Sequence, residues 1–515
     1  MVDVRRAIGI LLLTGLLLVL MWPLPALAGG LQSTGTAASE AALRADFNGD
    51  GAADLAIGAR GENNFAGAVH VLYGSAGRLT AAGSQRWSQD SPGITDVAEP
   101  DDQFGSALAA GDFNGDARAD LAIAAPGENL LAGVVHVLYG SAGGLTAAGS
   151  QLWSQDSPGV ADVAEPDDEF GDALTTGDFN GDARADLAIG VPGENDFAGV
   201  AQVLYGSAGR LTAAGSQRWS QDSPGIASVA EPNDQFGFSL AAGDFNGDAR
   251  ADLAIAAPGE DGLAGVVQVL YGSVDGLAAA GDQLWSQDSP GVGDSAEADF
   301  FGEALTAGDF NDDSFVDLAV GVPFEDLGAI HFAGVVHVLY GSAGGLTAAG
   351  SQLWSQDSPG VADVAEPDDE FGDALTTGDF NGDGAADLAI GASGENNFAG
   401  VAQVLYGSAG GLTAAGSQRW SQNSPGIADV AEGSDGFGRA LAAGDFNGDA
   451  RADLAIGVPG ENNFAGAVHV LYGSAGRLPA AGSQRWSQDS PGIADVAEDF
   501  DSFGESLAAT APQHR

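Results

Sequence analysis

The chain has 515 residues, 72 of them acidic and 17 Lys or Arg, for a formal net charge of −55, and it contains no cysteine. Every one of those 17 bases is arginine, so there is no basic footprint for nucleic acid or an anionic membrane surface, and disulfides, thiolate catalysis and cysteine-held metals are excluded. A hydrophobic share of 44% is enough to bury a core, so the acid needs a use beyond solvating a disordered chain, and bound cations are the first candidate.

Residues 1–28 read as an address. Arg5 and Arg6 precede an apolar run from Ala7 to Trp22, Pro23 and Pro25 break it, and Ala26-Leu27-Ala28 fits a small-x-small cleavage site. The other reading is an uncleaved anchor helix, but the run falls short of the ~20 residues that span a bilayer. The expectation is a cleaved signal peptide and a secreted protein, extracellular or periplasmic, with no membrane span after cleavage.

Residues 29–515 read as a single domain built from one unit seven times. Asp-Phe-Asn recurs at Asp46, Asp112, Asp178, Asp244, Asp309, Asp379 and Asp445, at spacings of 66, 66, 66, 65, 70 and 66. One Tyr and one Trp accompany each repeat, and Gly140 to Asp182 returns unchanged at Gly341 to Asp383. Within the second repeat, Phe104 to Ala110, Ala119 to Ala124, Val134 to Tyr139 and Gln151 to Ser154 read as strands, each bounded by turn residues and none with a helical period. Four short antiparallel strands per ~66 residues predict a propeller blade, so the fold expected is an all-β, seven-bladed β-propeller of four-stranded blades. A linear β-solenoid is the alternative, though its repeats are usually much shorter.

Closure is also legible. Phe-Gly opens the first strand at Phe104, Phe170, Phe236, Phe301, Phe371, Phe437 and Phe503. The Asp loop at Asp46 has no Phe-Gly before it, and Phe503 has no Asp loop after it. The C-terminal strand Phe503 to Thr510 is therefore expected to complete the first blade; the rival is Ala41 to Ala45, whose apolar register is shifted by one.

The Asp loops carry the strongest chemistry. In Asp46-Phe47-Asn48-Gly49-Asp50-Gly51-Ala52-Ala53-Asp54, side-chain oxygens stand at positions 1, 3, 5 and 9, and the backbone carbonyl of Ala52 is available at position 7. Hard cations take several oxygens at ~2.3–2.6 Å, and alternate residues of a tight turn can converge on one point. Position 12 is Ile57 rather than Glu and the flanks are strands, so this is not an EF-hand. The other six candidate sets are Asp112, Asn114, Asp116, Arg118 and Asp120; Asp178, Asn180, Asp182, Arg184 and Asp186; Asp244, Asn246, Asp248, Arg250 and Asp252; Asp309, Asn311, Asp313, Phe315 and Asp317; Asp379, Asn381, Asp383, Ala385 and Asp387; and Asp445, Asn447, Asp449, Arg451 and Asp453. In each, the position-7 residue offers only its carbonyl. Up to seven Ca²⁺ are expected. The alternative, metal-free Asp/Asn turns, leaves three carboxylates facing one another unrelieved.

Phe-Gly, then Gly-Asp-Phe-Asn-Gly-Asp, then Asp-Leu-Ala-Ile-Gly-Ala/Val-Pro resembles the FG-GAP repeat, and over nearly all of residues 41–510 the chain resembles the seven-bladed propeller of integrin α-subunits and of secreted bacterial relatives. The pattern is incomplete at Ala59-Arg60 and at Ala392-Ser393, where the Pro is missing. The resemblance implies Ca²⁺ in the Asp loops and an adhesion or ligand-binding module, not an enzyme, with a protein or glycan of unknown identity bound on one propeller face. The chain is expected to be a monomer. The alternatives are an accessory propeller of a hydrolase system similar to glycosylphosphatidylinositol-specific phospholipase D, and a structural envelope protein.

Three weaker signals remain. Glu62, Glu128, Glu194, Glu260, Glu325, Glu395 and Glu461 hold one position per repeat, on the face opposite the Asp loops, as an acidic ring for a cationic ligand or as a solvated surface. His70, His136, His337 and His469 alternate with Gln202, Gln268 and Gln403, which argues for a structural role. His331 lies in the only sizeable insertion, Leu327 to Phe332.

Overall fold

A computed structural model describes residues 45–293, 295 and 297–509. The signal segment, residues 41–44 of the rival closing strand, and Thr510 lie outside the described residues. None of the described helices is long and apolar enough to cross a membrane.

Seven four-stranded antiparallel sheets form the fold. Blade 2 shows the pattern, with Leu108–Gly111 innermost, then Asp120–Ala125, Val134–Tyr139 and Thr146–Trp153. The inner strand is shorter than the sequence predicts and the outer one longer, because the Phe-Gly backbone turns away from the sheet: Gly105 takes φ +96. The inner strands of blades 3 to 7 are Leu174–Gly177, Leu240–Gly243, Ala304–Gly308, Leu375–Gly378 and Leu441–Gly444. Each inner strand contacts the next, around to the first.

Blade 1 is completed from the far end of the chain. Phe503–Ala508 pairs antiparallel with Leu55–Ala59, matching Ala56 with Ala508 and Ile57 with Leu507, and Ala68–Tyr73 and Thr80–Trp87 follow outward. The C-terminal strand therefore closes the ring.

The core lies between blades rather than within them. Seven buried clusters sit one at each junction; that between blades 1 and 2 packs Phe47, Val69, Val71 and Phe104 against Leu121, Ile123 and Leu138. The phenylalanines of Asp-Phe-Asn and of Phe-Gly are buried in every repeat, from Phe47 and Phe104 onward. A blade's two apolar faces thus each need a neighbour, which makes the closed ring the smallest stable unit.

Two rings of hydrogen bonds tie the junctions. On the loop face, the Tyr73 hydroxyl donates to Gln85 Oε1 in its own blade and accepts the Leu145 amide of the next at 3.2 Å, while Gln85 Nε2 donates to the Leu145 carbonyl at 2.9 Å. This arrangement accounts for the single Tyr per repeat. On the opposite face, Gln89 Nε2 of blade 1 donates to Glu128 Oε2 of blade 2 at 2.8 Å, and Gln488 closes the ring onto Glu62 at 2.7 Å.

Candidate functional site

The inner strands surround an axial channel. A cavity of 720 Å³ occupies its loop end, lined by small inner-strand residues such as Thr176, Ala241, Thr377 and Ala443 and rimmed by Asp178, Asp244, Asp309 and Asp379. Each inner strand of blades 2 to 7 follows a Phe-Gly turn and runs into Asp-Phe-Asn, so the Asp loops stand at one end of the channel and the Phe-Gly turns at the other.

The seven Asp loops share one geometry. The first carboxylate accepts backbone amides across the turn; at Asp46 they come from Gly49 at 2.6 Å, Asp50 at 3.1 Å and Gly51 at 2.8 Å. The fifth position accepts the amide of the seventh, as Asp50 does from Ala52. The ninth is wholly buried: Asp54 accepts the Phe47 amide at 2.8 Å and the Gly74 amide at 2.9 Å. Position 6 is left-handed in every loop, φ 93 at Gly51 and 67 at Ala117, so five loops place Ala or Ser in a conformation that favours Gly. Adjacent loops are chained by backbone, with Ala119 donating to the Asp46 carbonyl at 3.0 Å and Ala53 to that of Asp445 at 2.8 Å.

The donor set fits a hard cation in three respects. Burial first, then the carboxylates at positions 1 and 5, push the ninth-position carboxyl up to about 8, from Asp54 to Asp453, so a positive charge there would restore an ion. Asn311 Oδ1 is buried with no hydrogen-bond partner. All the side-chain groups are oxygens or amides. Four loops add a competitor that the sequence reading used only for its carbonyl: Arg184 Nη1 and Arg250 Nη1 each reach the position-5 Asp at 3.0 Å, and Arg118 and Arg451 lie at 3.8 and 3.4 Å from theirs. Asn114 turns its amide Nδ2 toward Asp120 at 3.2 Å.

The acidic row is corrected by the structure. Glu62, Glu128, Glu194, Glu395 and Glu461 are buried, not solvated, and Glu260 and Glu325 are partly so. Each receives a Gln amide from the preceding blade. Four also meet an Arg of their own blade, as Arg86 meets Glu62 at 3.2 Å. Each Glu of the row stands just before a left-handed turn that the sequence reading missed: Asn63, Asn64 and Phe65 stand at φ 54, 60 and 61, and the turn recurs in every blade but the fifth. There the insertion replaces it with a Phe300–Phe324–Phe332 ring cluster. His331 stands outside that cluster, exposed, with Nδ1 at 2.7 Å from Asp326 Oδ2. The four strand histidines are buried against Phe-Gly rings, as His136 is on Phe104 at 5.3 Å.

The channel mouth holds what the repeats do not share. The residues after Phe-Gly are Glu505, Ser106, Asp172, Phe238, Glu303, Asp373 and Arg439 in blades 1 to 7, five residue types at one position of a near-copied unit. They face one another across the axis. Arg60 Nη2 lies 3.2 Å and Arg439 Nε 3.6 Å from the same Glu505 oxygen, Arg60 also acts on Asp172, and Arg439 acts on Glu303 and Asp373. The two departures from the repeat pattern, Arg60 and Ser393, belong to this mouth: the Ser393 amide donates to Asp373 Oδ2 at 3.3 Å. Loss of bulk solvation inside the channel raises Asp172 to about 6 and Glu303 and Asp373 to about 7; Asp172 opens onto lumen water but is walled in by the other blades.

These shifts set a pH dependence. A carboxyl raised in the folded state holds a proton that the unfolded chain releases, so its stabilising contribution is present at low pH and is lost as pH rises from about 4 to about 7. The double variant Glu303→Gln, Asp373→Asn is therefore expected to melt higher than the parent near pH ~8 and no higher near pH ~4, by calorimetry. Equal melting across that range would refute the assignment. The Asp loops titrate in both proteins alike and cancel.

The FG-GAP repeat model matches residues 39–72, 104–138, 170–204, 236–270, 301–339, 371–405 and 437–471, one stretch per blade. The chain belongs to the FG-GAP repeat family. Integrin alpha-PS2 of Drosophila melanogaster is 31% identical to this FG-GAP propeller over 233 residues, 44% of the chain and 15% of that protein. Phosphatidylinositol-glycan-specific phospholipase D of Bos taurus is 33% identical over 180 residues, 33% of the chain and 20% of the enzyme. The matches thus span at most a fifth of either relative. Among solved structures, rhamnogalacturonan lyase YesW aligns with 90% of the chain and 78% of its own at 12% identity and a TM-score of 0.38. The FG-GAP propeller is integrin-α-like in its repeats and its seven-bladed ring.

Proposed function

We propose that this FG-GAP propeller is a secreted, Ca²⁺-binding module that captures a protein or glycan ligand at its channel mouth, and that it is not itself a catalyst. The observation that carries this reading is the mouth. Near-identical repeats preserve the Gln-to-Glu contact at every junction, while the mouth position after Phe-Gly carries five residue types across the seven blades. Structural copying alone would leave seven equal residues there; an asymmetric ligand needs different ones. The enclosed carboxylates and two arginines supply charge-assisted contacts in a partly desolvated space. The Asp loops hold Ca²⁺ in this reading, with affinities of ~10⁻⁴–10⁻³ M sufficing outside a cell.

The test is capture from the protein's native surroundings. A variant with Asp172, Phe238, Glu303, Asp373, Arg439 and Glu505 each changed to Ser makes that position uniform with Ser106. The parent is expected to retain a partner that this variant and the chelated parent both release; equal capture by all three would overturn the reading. Similarity to the phospholipase favours a second reading, an accessory propeller in a hydrolase system. Hydrolase activity that co-purifies with the captured partner, and is absent from the isolated chain, would favour that reading over the first.

A further inference from the structure

We propose that the Asp loop of blade 5, Asp309 to Asp317, is the high-affinity Ca²⁺ site of the ring, and that Arg118, Arg184, Arg250 and Arg451 hold the other six loops to higher Ca²⁺ concentrations. The proposal rests on the reading that the Asp loops take Ca²⁺, and it adds an order of filling that seven equal loops would lack.

Each of the four arginines stands at position 7 of its own loop and touches two loops. Its Nη1 faces the position-5 carboxylate of its own loop, at 3.8 Å in blade 2, 3.0 Å in blades 3 and 4 and 3.4 Å in blade 7. Its stem or Nε lies across the position-4 glycine of the preceding loop, within 3.0, 3.0, 3.3 and 2.9 Å of where a Cβ on Gly49, Gly115, Gly181 and Gly382 would stand. Packing thus fixes a positive charge between neighbouring loops, where it occupies one oxygen of a ligand carboxylate and repels a second cation. The loops of blades 2 and 3 meet two such arginines. Those of blades 4 and 7 meet their own, and those of blades 1 and 6 meet the one from the following blade. The loop of blade 5 meets none of the four: its position 7 is Phe315, and Ala385 holds position 7 of the loop that follows.

Two further departures sit in the same loop. Asp312 replaces the position-4 glycine, so four aspartates stand there against three in each other loop, and ligand charge tunes Ca²⁺ affinity among sites of one shape. Asp312 and Ser314 keep the left-handed turn, at φ 56 and 72, so the shape is preserved. The asparagine differs as well. In blades 2, 3, 4, 6 and 7 the position-3 Asn turns its Nδ2 toward the position-9 Asp, at 3.2, 3.4, 3.4, 3.3 and 3.1 Å. In blade 5 the Asn311 Oδ1 is instead buried without a hydrogen-bond partner, and among the described residues no other Asn oxygen is left so. A buried oxygen without a donor is destabilising, and a cation beside it removes the deficit.

Hydrogen–deuterium exchange of the full chain, read by mass spectrometry over a Ca²⁺ titration from ~10 μM to ~10 mM, resolves the loops one by one. The blade 5 loop is expected to reach half-protection at about fivefold lower Ca²⁺ than the loops of blades 2 and 3. The double variant Asp312→Gly, Phe315→Arg gives it the residues of the blade 3 loop at those positions, so it is expected to fold and to lose that advantage. Arg451→Ala leaves the loops of blades 6 and 7 facing none of the four arginines, and is expected to lower their half-protection concentration about threefold. Equal half-protection in every loop of the parent, or an unchanged blade 5 loop in the double variant, would overturn the proposal and leave Ca²⁺ in the loops. Absence of Ca²⁺-dependent protection in every loop would overturn it together with the calcium reading.

Discussion

Truncation after Asp501 is expected to abolish the cooperative melt of the propeller and drive the chain into aggregates. The deletion removes the inner strand Phe503–Ala508, which pairs with Leu55–Ala59. It leaves blade 1 with an unpaired edge and opens the junction of blades 7 and 1, where Phe503 packs with Phe446, Val468 and Val470. Phe503 is fully buried, and Phe→Ala at such a site alone costs ~3–5 kcal/mol, against a typical whole-domain stability of ~5–15 kcal/mol. Exposed strand edges and half a core then favour association over refolding. The other repeats show that the strand's covalent position is immaterial, since each joins its Phe-Gly strand directly to its Asp loop. A circular permutant joining Ala509 to Ala45, which then stands where Gly111 stands in blade 2, is expected to restore the melt. A truncated chain that melts like the parent would sink the closure argument.

Chelation is expected to lower the melting temperature by the second-largest margin. At ~1 mM free Ca²⁺ and dissociation constants of ~10⁻⁴–10⁻³ M, each loop contributes RT ln(1 + [L]/Kd), about 0.4–1.4 kcal/mol. Seven loops then supply roughly 3–10 kcal/mol, comparable with the stability of the fold. The expected result is a calorimetric melt that falls sharply in EDTA and recovers with Ca²⁺. Asp120→Asn is expected to remove about one-seventh of the Ca²⁺-dependent part and also to lower the chelated melt, because a carboxamide can accept only one of the Phe113 and Gly140 amides that the two carboxylate oxygens hold. A melt insensitive to EDTA would refute calcium in the loops.

The strands, the blade count and the closing strand were legible because each depends on signals within one repeat or on counting them. Turn residues bracket short apolar runs, and seven Phe-Gly pairs offset by one from seven Asp loops leave one strand and one loop to meet. The Asp loops were legible for the same reason, since their oxygens lie within nine residues. Less was visible of what surrounds them: Arg118 and its counterparts reach the position-5 Asp only once the turn is folded.

What the sequence by itself determined was thus the repeating unit, its number and its closure. Only the tertiary structure decided which side chains meet between units. Glu128 looked like surface because its partner Gln89 stands 39 positions away, across a junction whose packing no local period encodes. A signal was present, since Gln89, Gln155, Gln221, Gln287, Gln356, Gln422 and Gln488 recur once per blade, but recurrence does not name a partner. The mouth was hidden more deeply. Arg60, Asp172, Glu303 and Arg439 belong to four different repeats, and they become one site because a closed ring turns the same position of every blade toward a common axis.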